Sequence, residues 1–276
     1  MIDDTIRIEE LIQEISKSID QHVDLYMIGG GAMMYLGSKR YTKDLDLVVR
    51  SEREYDAIHE ALVELGFNVS KPTDGMTRAD LSDTLKKGEY RIDLFSRRVC
   101  GKLQLSDTMM ARAVERIETE NVCLYSCSAE DVFLLKSVTE REGDADDCDR
   151  LLLNSPRFDW DALIEEIRIQ MGFGDAVWIT YVAERLLRIN VDFRFPEVFD
   201  SVSMMENEYM EEWAHRMDDS HDLRETASTT ITTDACVLDT LQLPKKSLPK
   251  YRKSVYFNGV AKMKYREHIL GGTPKD

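Results

Sequence analysis

Between residues 23 and 49 the chain reads VDLYMIGGGAMMYLGSKRYTKDLDLVV, and this stretch restricts the fold more closely than any other. Val23-Asp24-Leu25-Tyr26-Met27-Ile28 is a short apolar run that predicts a strand. It stops at Gly29-Gly30-Gly31, a turn signal, after which a helix over residues 32–36 is expected. DLDLVVR then alternates, so a second strand sends Asp44 and Asp46 to one face and Leu45, Leu47 and Val49 to the other. A strand, a glycine turn, a helix and an acid-bearing strand in unbroken succession call for a sheet with helical cover.

The rest of the chain extends that plan. Ile8, Leu11, Ile12, Ile15 and Ile19 recur at spacings of three and four and predict an amphipathic packing helix. Residues 51–65 open on Ser51 as a cap and carry Tyr55, Ile58, Leu62 and Leu65 at helical spacing before Gly66. Short strands are expected at 67–69, 91–95 and 122–125, with a polar loop from Pro72 to Gly88. From Ser128, an N-cap with Asp131 three residues on, the pattern turns helical, with further helices over 159–171 and 175–189. The acidic stretch 206–225 reads as a solvated helix or a linker. The expected class is α+β: an α/β-type core with a mixed sheet over residues 1–127, followed by a mainly helical domain over 128–276.

The chain has 276 residues, 36 Lys and Arg against 52 Asp and Glu, and a net charge of −16. That field argues against a broad duplex-DNA or anionic-membrane binding face. No apolar run approaches the ~20 residues that span a bilayer, and the start, MIDDTIRIEELIQEI, lacks the make-up of a signal peptide, which points to the cytoplasm. Cys100, Cys123, Cys127, Cys148 and Cys236 are odd in number and form no CxxC pair, so they read as reduced thiols. The charge is uneven, however: residues 245–268 hold eight Lys and Arg against the single Glu267, interleaved with Tyr251, Tyr256, Phe257 and Tyr265. Such a tail either docks on the acidic body or grips single-stranded RNA by phosphate pairing and stacking.

The block that opens with the glycines has a joint chemical use. Amides freed by glycine at a helix start can approach phosphate oxygens. Two carboxylates on one strand face stand about 6–7 Å apart, which suits hard cations such as Mg²⁺. Arg91-Ile92-Asp93-Leu94-Phe95 brings a third acid at the centre of another short strand.

Here the sequence resembles the nucleotidyltransferase superfamily of DNA polymerase β, marked by a Gly-Gly or Gly-Ser turn, then Asp-x-Asp, then a later Asp. The run Arg40-x-Thr42-x-Asp44-x-Asp46 looks especially like the minimal nucleotidyltransferases that include the AbiE-type toxins of toxin–antitoxin systems. Ser128 to Lys136, followed by Arg141, Asp144 and Asp147, is similar to the helix after the core in those proteins. The resemblance covers roughly residues 20 to 150. It implies that Gly29 and Gly30 hold the triphosphate of an NTP, and that Asp44, Asp46 and Asp93 bind Mg²⁺ or Mn²⁺. Asp93 would also assist deprotonation of the attacking hydroxyl, and Lys136 would neutralise phosphate charge or simply snorkel from an apolar helix face. Arg40 and Thr42 either contact the nucleotide or shape the turn. The chain departs from many members in lacking a serine directly after the first glycine. The implied activity is NMP transfer to an RNA (tRNA) end, a protein or a small molecule. A cognate antitoxin is a further possible partner, and a non-catalytic nucleotide- or partner-binding role is the alternative.

Other features carry less. His215, Asp218, Asp219, His221 and Asp222 are ligand-type residues without an apolar shell in the sequence. His22, His59 and His268 are isolated. Met33-Met34, Met109-Met110 and Met204-Met205 read as core filler.

Overall fold

The computed structural model of the chain describes residues 5–70, 83–99, 101–139 and 141–230. The basic segment 245–268, Cys100, Cys236 and His268 lie outside the described residues, as do the side chains of Asp218, Asp219, His221 and Asp222.

The chain opens with α1 (Thr5–Lys17), β1 (Val23–Ile28), α2 (Gly29–Tyr35), β2 (Leu45–Val49) and α3 (Glu52–Glu64). There follow β3 (Asn68–Ser70), β4 (Asp83–Lys87), β5 (Tyr90–Ser96), β6 (Arg98–Val99), β7 (Leu103–Gln104), α4 (Asp107–Arg112), β8 (Val114–Glu118) and β9 (Val122–Ser126). The remainder is helical: α5 (Ala129–Ser137), α6 (Glu142–Asn154), α7 (Trp160–Met171), α8 (Ile179–Arg188), α9 (Val191–Arg194) and α10 (Pro196–Thr230). The fold is α+β, a mixed sheet followed by a mainly helical region. The described residues fall into two units, divided after Ser203. Among the described residues no helix is long and apolar enough to cross a membrane.

Seven strands form the main sheet in the order β3-β4-β5-β2-β1-β9-β8, with β6 and β7 a separate pair. β1 runs antiparallel to β2 and parallel to β9, and β2 runs parallel to β5. Side-chain alternation then sorts the sheet into two faces. Val23, Leu25, Met27, Leu45, Leu47, Val49, Ile92, Leu94, Val122 and Leu124 share one face and form a core with Ile8, Ile12 and Ile15 of α1 and Ile58 and Leu62 of α3. Each such side chain contributes roughly 1.5–3 kcal/mol on leaving water. The opposite face carries Asp46 and Asp93.

Local signals explain several boundaries. Ser51 accepts from the Glu54 amide at the start of α3, Ser128 from the Asp131 amide at the start of α5, and Asp159 from the Ala162 amide at the start of α7. Two expectations are corrected. α2 begins at Gly29, three residues early, because the glycines themselves form its first turn. The expected loop up to Gly88 contains β4, whose DTLKK buries only Leu85 and pairs with both β3 and β5. The acidic 206–225 stretch lies within helix α10. Cys123, Cys127 and Cys148 are buried free thiols. Met33, Met109 and Met205 are buried, whereas Met204 is exposed and is not core.

Candidate active site

Strand register assembles the site. Ile28 pairs with Asp46, Asp46 with Asp93, and Asp93 with Thr84, so one row across the sheet holds both carboxylates and a hydroxyl. The next row along the same face pairs Tyr125 with Tyr26 and Tyr26 with Val48, the two tyrosine rings stacking at 5.2 Å.

Gly29 follows directly after Ile28 and adopts φ +59°, a conformation that favours glycine. A Cβ there would collide with the Asp46 carboxylate, and a Cβ on Gly30 would collide with the Thr42 hydroxyl. The glycine turn is therefore pressed against the acid-bearing strand, with no room for side chains between them. Thr42 is buried and donates to the Asp44 carbonyl at 2.8 Å, which fixes the entry to β2. Arg40 is exposed and makes no hydrogen bond or ion pair among the described residues.

The three acids differ in surroundings. Asp46 is partly buried, and loss of water, aided by the neighbouring Asp44 and Asp93 charges, pushes its pKa from 3.8 up to about 7. Lys136 and Arg141 oppose that rise, so both cations act on the same carboxylate. Asp93 is buried and accepts from the Thr84 hydroxyl at 2.6 Å and from Arg91 Nη2 at 3.0 Å. Asp44, just ahead of β2, is reached by Arg91 Nη1 at 3.6 Å.

Lys136 is not a loose cation. Its Nζ lies 2.8 Å from Asp144 and 2.8 Å from Asp147, and Lys39 reaches the same Asp147 oxygen at 2.7 Å. Burial alone would lower the Lys136 pKa, yet the two carboxylates outweigh it and raise it. Burial likewise opposes ionisation of Asp147, but its hydrogen bonds from Lys136 and Lys39 hold its pKa below the usual carboxylate value.

Register and close approach thus gather Gly29, Gly30, Thr42, Asp44, Asp46 and Asp93, with Lys136 acting from α5, while Arg40 stands apart. Sequence reasoning passed over Arg91, Thr84 and Lys39. Arg91 was findable, since two residues before Asp93 on a strand means the same face. Thr84 was hidden by the loop expected there, and no periodicity points to Lys39.

A divalent cation fits this chemistry. The donors are hard carboxylate oxygens, and burial, aided by the charges of Asp44 and Asp93, favours a proton on Asp46 that a cation would displace. Among the described residues, no group of three or more His, Cys, Asp or Glu side chains already converges on one point as a ready cage. The carboxylates would have to turn toward the ion. A separate groove of about 560 Å³ between the end of α1 and α3, lined by Lys17, Asp20, Arg53, Asp56 and Glu60, involves none of these residues.

No protein-family model and no curated protein matches this chain. Among solved structures it is similar to a crystal structure of ANT(2'')-Ia in complex with adenylyl-2''-tobramycin, with TM-score 0.40, 11% identity, and coverage of 62% of this chain and 98% of that one. A solution structure of the antibiotic-resistance factor ANT(2'')-Ia gives TM-score 0.36 and 18% identity over 75% of this chain and 99% of that one. At such scores the functional reading rests on the geometry of the site.

Proposed function

We propose that the protein is a nucleotidyltransferase that moves a nucleoside monophosphate from an NTP to an acceptor hydroxyl. The carrying observation is the contact of the Gly29-Gly30 turn with Asp46 and Thr42, with Asp46 paired in register to Asp93. In the reaction the acceptor oxygen bonds to the α-phosphorus, the bond from that phosphorus to the β-phosphate bridging oxygen breaks, and pyrophosphate leaves with the electron pair.

Each residue has a part. Gly29 and Gly30 offer backbone amides with no side chain in the way, so the triphosphate can come close. Asp44, Asp46 and Asp93 would hold Mg²⁺ or Mn²⁺, which would supply neutralisation of the triphosphate and of the leaving pyrophosphate. Asp93, steadied by Thr84, takes the proton of the attacking hydroxyl. Lys136, fixed by Asp144 and Asp147, and Arg141 add positive potential near Asp46. The buried free thiols suit a reducing compartment such as the cytoplasm.

The acceptor is an RNA end such as that of tRNA, a protein or a small molecule. The AbiE-type resemblance of the Arg40 to Asp46 run supports reading the protein as the toxin of a toxin–antitoxin pair, and the basic composition of residues 245–268 supports a tRNA end as one acceptor. Incubation with each radiolabelled NTP, Mg²⁺ and cell lysate tests the proposal: label should enter one of these fractions with wild type and not with Asp44→Asn/Asp46→Asn. Undiminished transfer by the double variant sinks it. One observation favours a second, non-catalytic reading, because Arg91 already engages Asp93 and Asp44. That reading requires NTP binding by calorimetry without pyrophosphate release over hours.

A further inference from the structure

Arg91 stands on β5 two residues before Asp93, so the two side chains share the sheet face that carries the acids. Its guanidinium spans two of the three carboxylates. Nη2 lies 3.0 Å from Asp93 Oδ2, Nε and Nη2 each reach Asp93 Oδ1 at 3.4 Å, and Nη1 is 3.6 Å from Asp44 Oδ2. Both oxygens of Asp93 are thereby directed at protein donors, Oδ1 to Thr84 as well as Arg91. The Arg91 side chain is 40% exposed while those of Asp93 and Asp44 are 11% and 27% exposed, so the cation is the most solvent-exposed of the three and has water to retreat into.

We propose that Arg91 is the built-in counter-ion of the acidic site: it holds Asp44 and Asp93 when no divalent cation is bound, and a cation enters by displacing it. Arg91 occupies oxygens of Asp93 and Asp44 that a divalent ion would need, so the guanidinium and the ion compete for the same carboxylate lone pairs. Retreat of Arg91 lets Asp93 turn toward the ion. Because the hold depends on a flat fork reaching two carboxylates at once, lysine keeps the charge and loses the span. The proposal rests on reading Asp44, Asp46 and Asp93 as a cation site.

The test is nucleotide-free Mn²⁺ binding, followed by the paramagnetic resonance of free Mn²⁺, for the full chain with Arg91, Arg91→Lys and Arg91→Gln, each checked for native circular dichroism. Removing the competing cation should tighten Mn²⁺ binding about tenfold in Arg91→Gln, with Arg91→Lys in between. Equal or weaker Mn²⁺ binding by a folded Arg91→Gln overturns the proposal. Should that variant not fold, the wild-type chain decides, with Arg91→Lys serving only for assignment. Its Arg91 Nε–H resonance, assigned through Arg91→Lys, should shift on saturation with the diamagnetic Mg²⁺, and an unmoved resonance overturns it. NTP transfer is read in parallel. Tightened Mn²⁺ binding without any NMP transfer upholds the counter-ion and refutes the enzyme; unchanged Mn²⁺ binding with intact transfer does the reverse.

Discussion

At the scale of residues the site depends on two side chains that are missing. Gly29 has no Cβ where the Asp46 carboxylate lies, and its φ of +59° is one that other residues adopt at a cost of roughly 1–2 kcal/mol. Gly29→Ala should therefore lower stability by about that amount and, by displacing the Asp46 carboxylate, also remove Mn²⁺ binding. Chemical denaturation and Mn²⁺ titration of the same preparation check both effects, and a variant that loses stability yet binds normally would uncouple the turn from the acids. Gly30 does not share the positive φ, so Gly30→Ala tests the Thr42 contact alone. The shared face of Asp44 and Asp46 was legible in the sequence because alternation along a strand dictates it, whereas Asp93 was legible only as the central acid of another short strand that the resemblance joins to them. The pairing of Asp46 with Asp93 was not, since register between strands distant in sequence is set by the packing of their apolar faces.

Among the elements, α5 joins the site to the buried polar network behind it. Its Lys136 faces Asp144 and Asp147, while its Asp131, fully buried, accepts from Arg112 of α4, which also pairs with Glu166 of α7 at 2.6 Å. Ser106, Thr108 and Gln170 complete the bonding of Glu166; burial would raise its pKa, but these partners hold it below the usual value. Arg112→Met would strand two buried carboxylates and should destabilise the protein by about 3–5 kcal/mol, measured by urea denaturation. If the loss is under about 1 kcal/mol, the network is only as strong as an exposed pair. At the other end of α5, Lys102 and Arg185 donate to the carbonyls of Val138 and Thr139, where the helix dipole is negative. Helices α3 and α5 could be located from sequence because a serine cap precedes each apolar pattern. β4 and β8 could not: DTLKK and VERIE each bury one residue, Leu85 and Ile117, so neither alternates in the sequence as a half-buried strand should. What makes them strands is the hydrogen bonding offered by β5 and β9.

For the whole molecule, a net charge of −16 and a row of carboxylates on one sheet face mean that a cation bound at that row would add to stability. The sign follows from Asp46. Its pKa is pushed from 3.8 to about 7 in the folded chain, so between those values the native state binds a proton that the unfolded chain has released. This group's contribution to stability accordingly falls as pH climbs through that window and is level above about 7. A divalent cation requires the ionised carboxylate, so at pH 6 it must first expel the proton and at pH 8 it need not. A fixed concentration of Mg²⁺ or Mn²⁺, a hundred times Kd at pH 8, should add about 2.7 kcal/mol of stability there and less at pH 6, where the apparent Kd is weaker, so the melting temperature should rise more at pH 8. Calorimetry at pH 6.5 in buffers of different ionisation enthalpy should register protons released on binding. In Asp46→Asn the metal-free protein should be the more stable above pH 7, and both the pH dependence of the cation effect and the proton release should vanish. An equal melting shift at the two pH values, or the same shift in Asp46→Asn, would mean that cations act on the diffuse acidic surface and not on the row of acids beside the glycine turn.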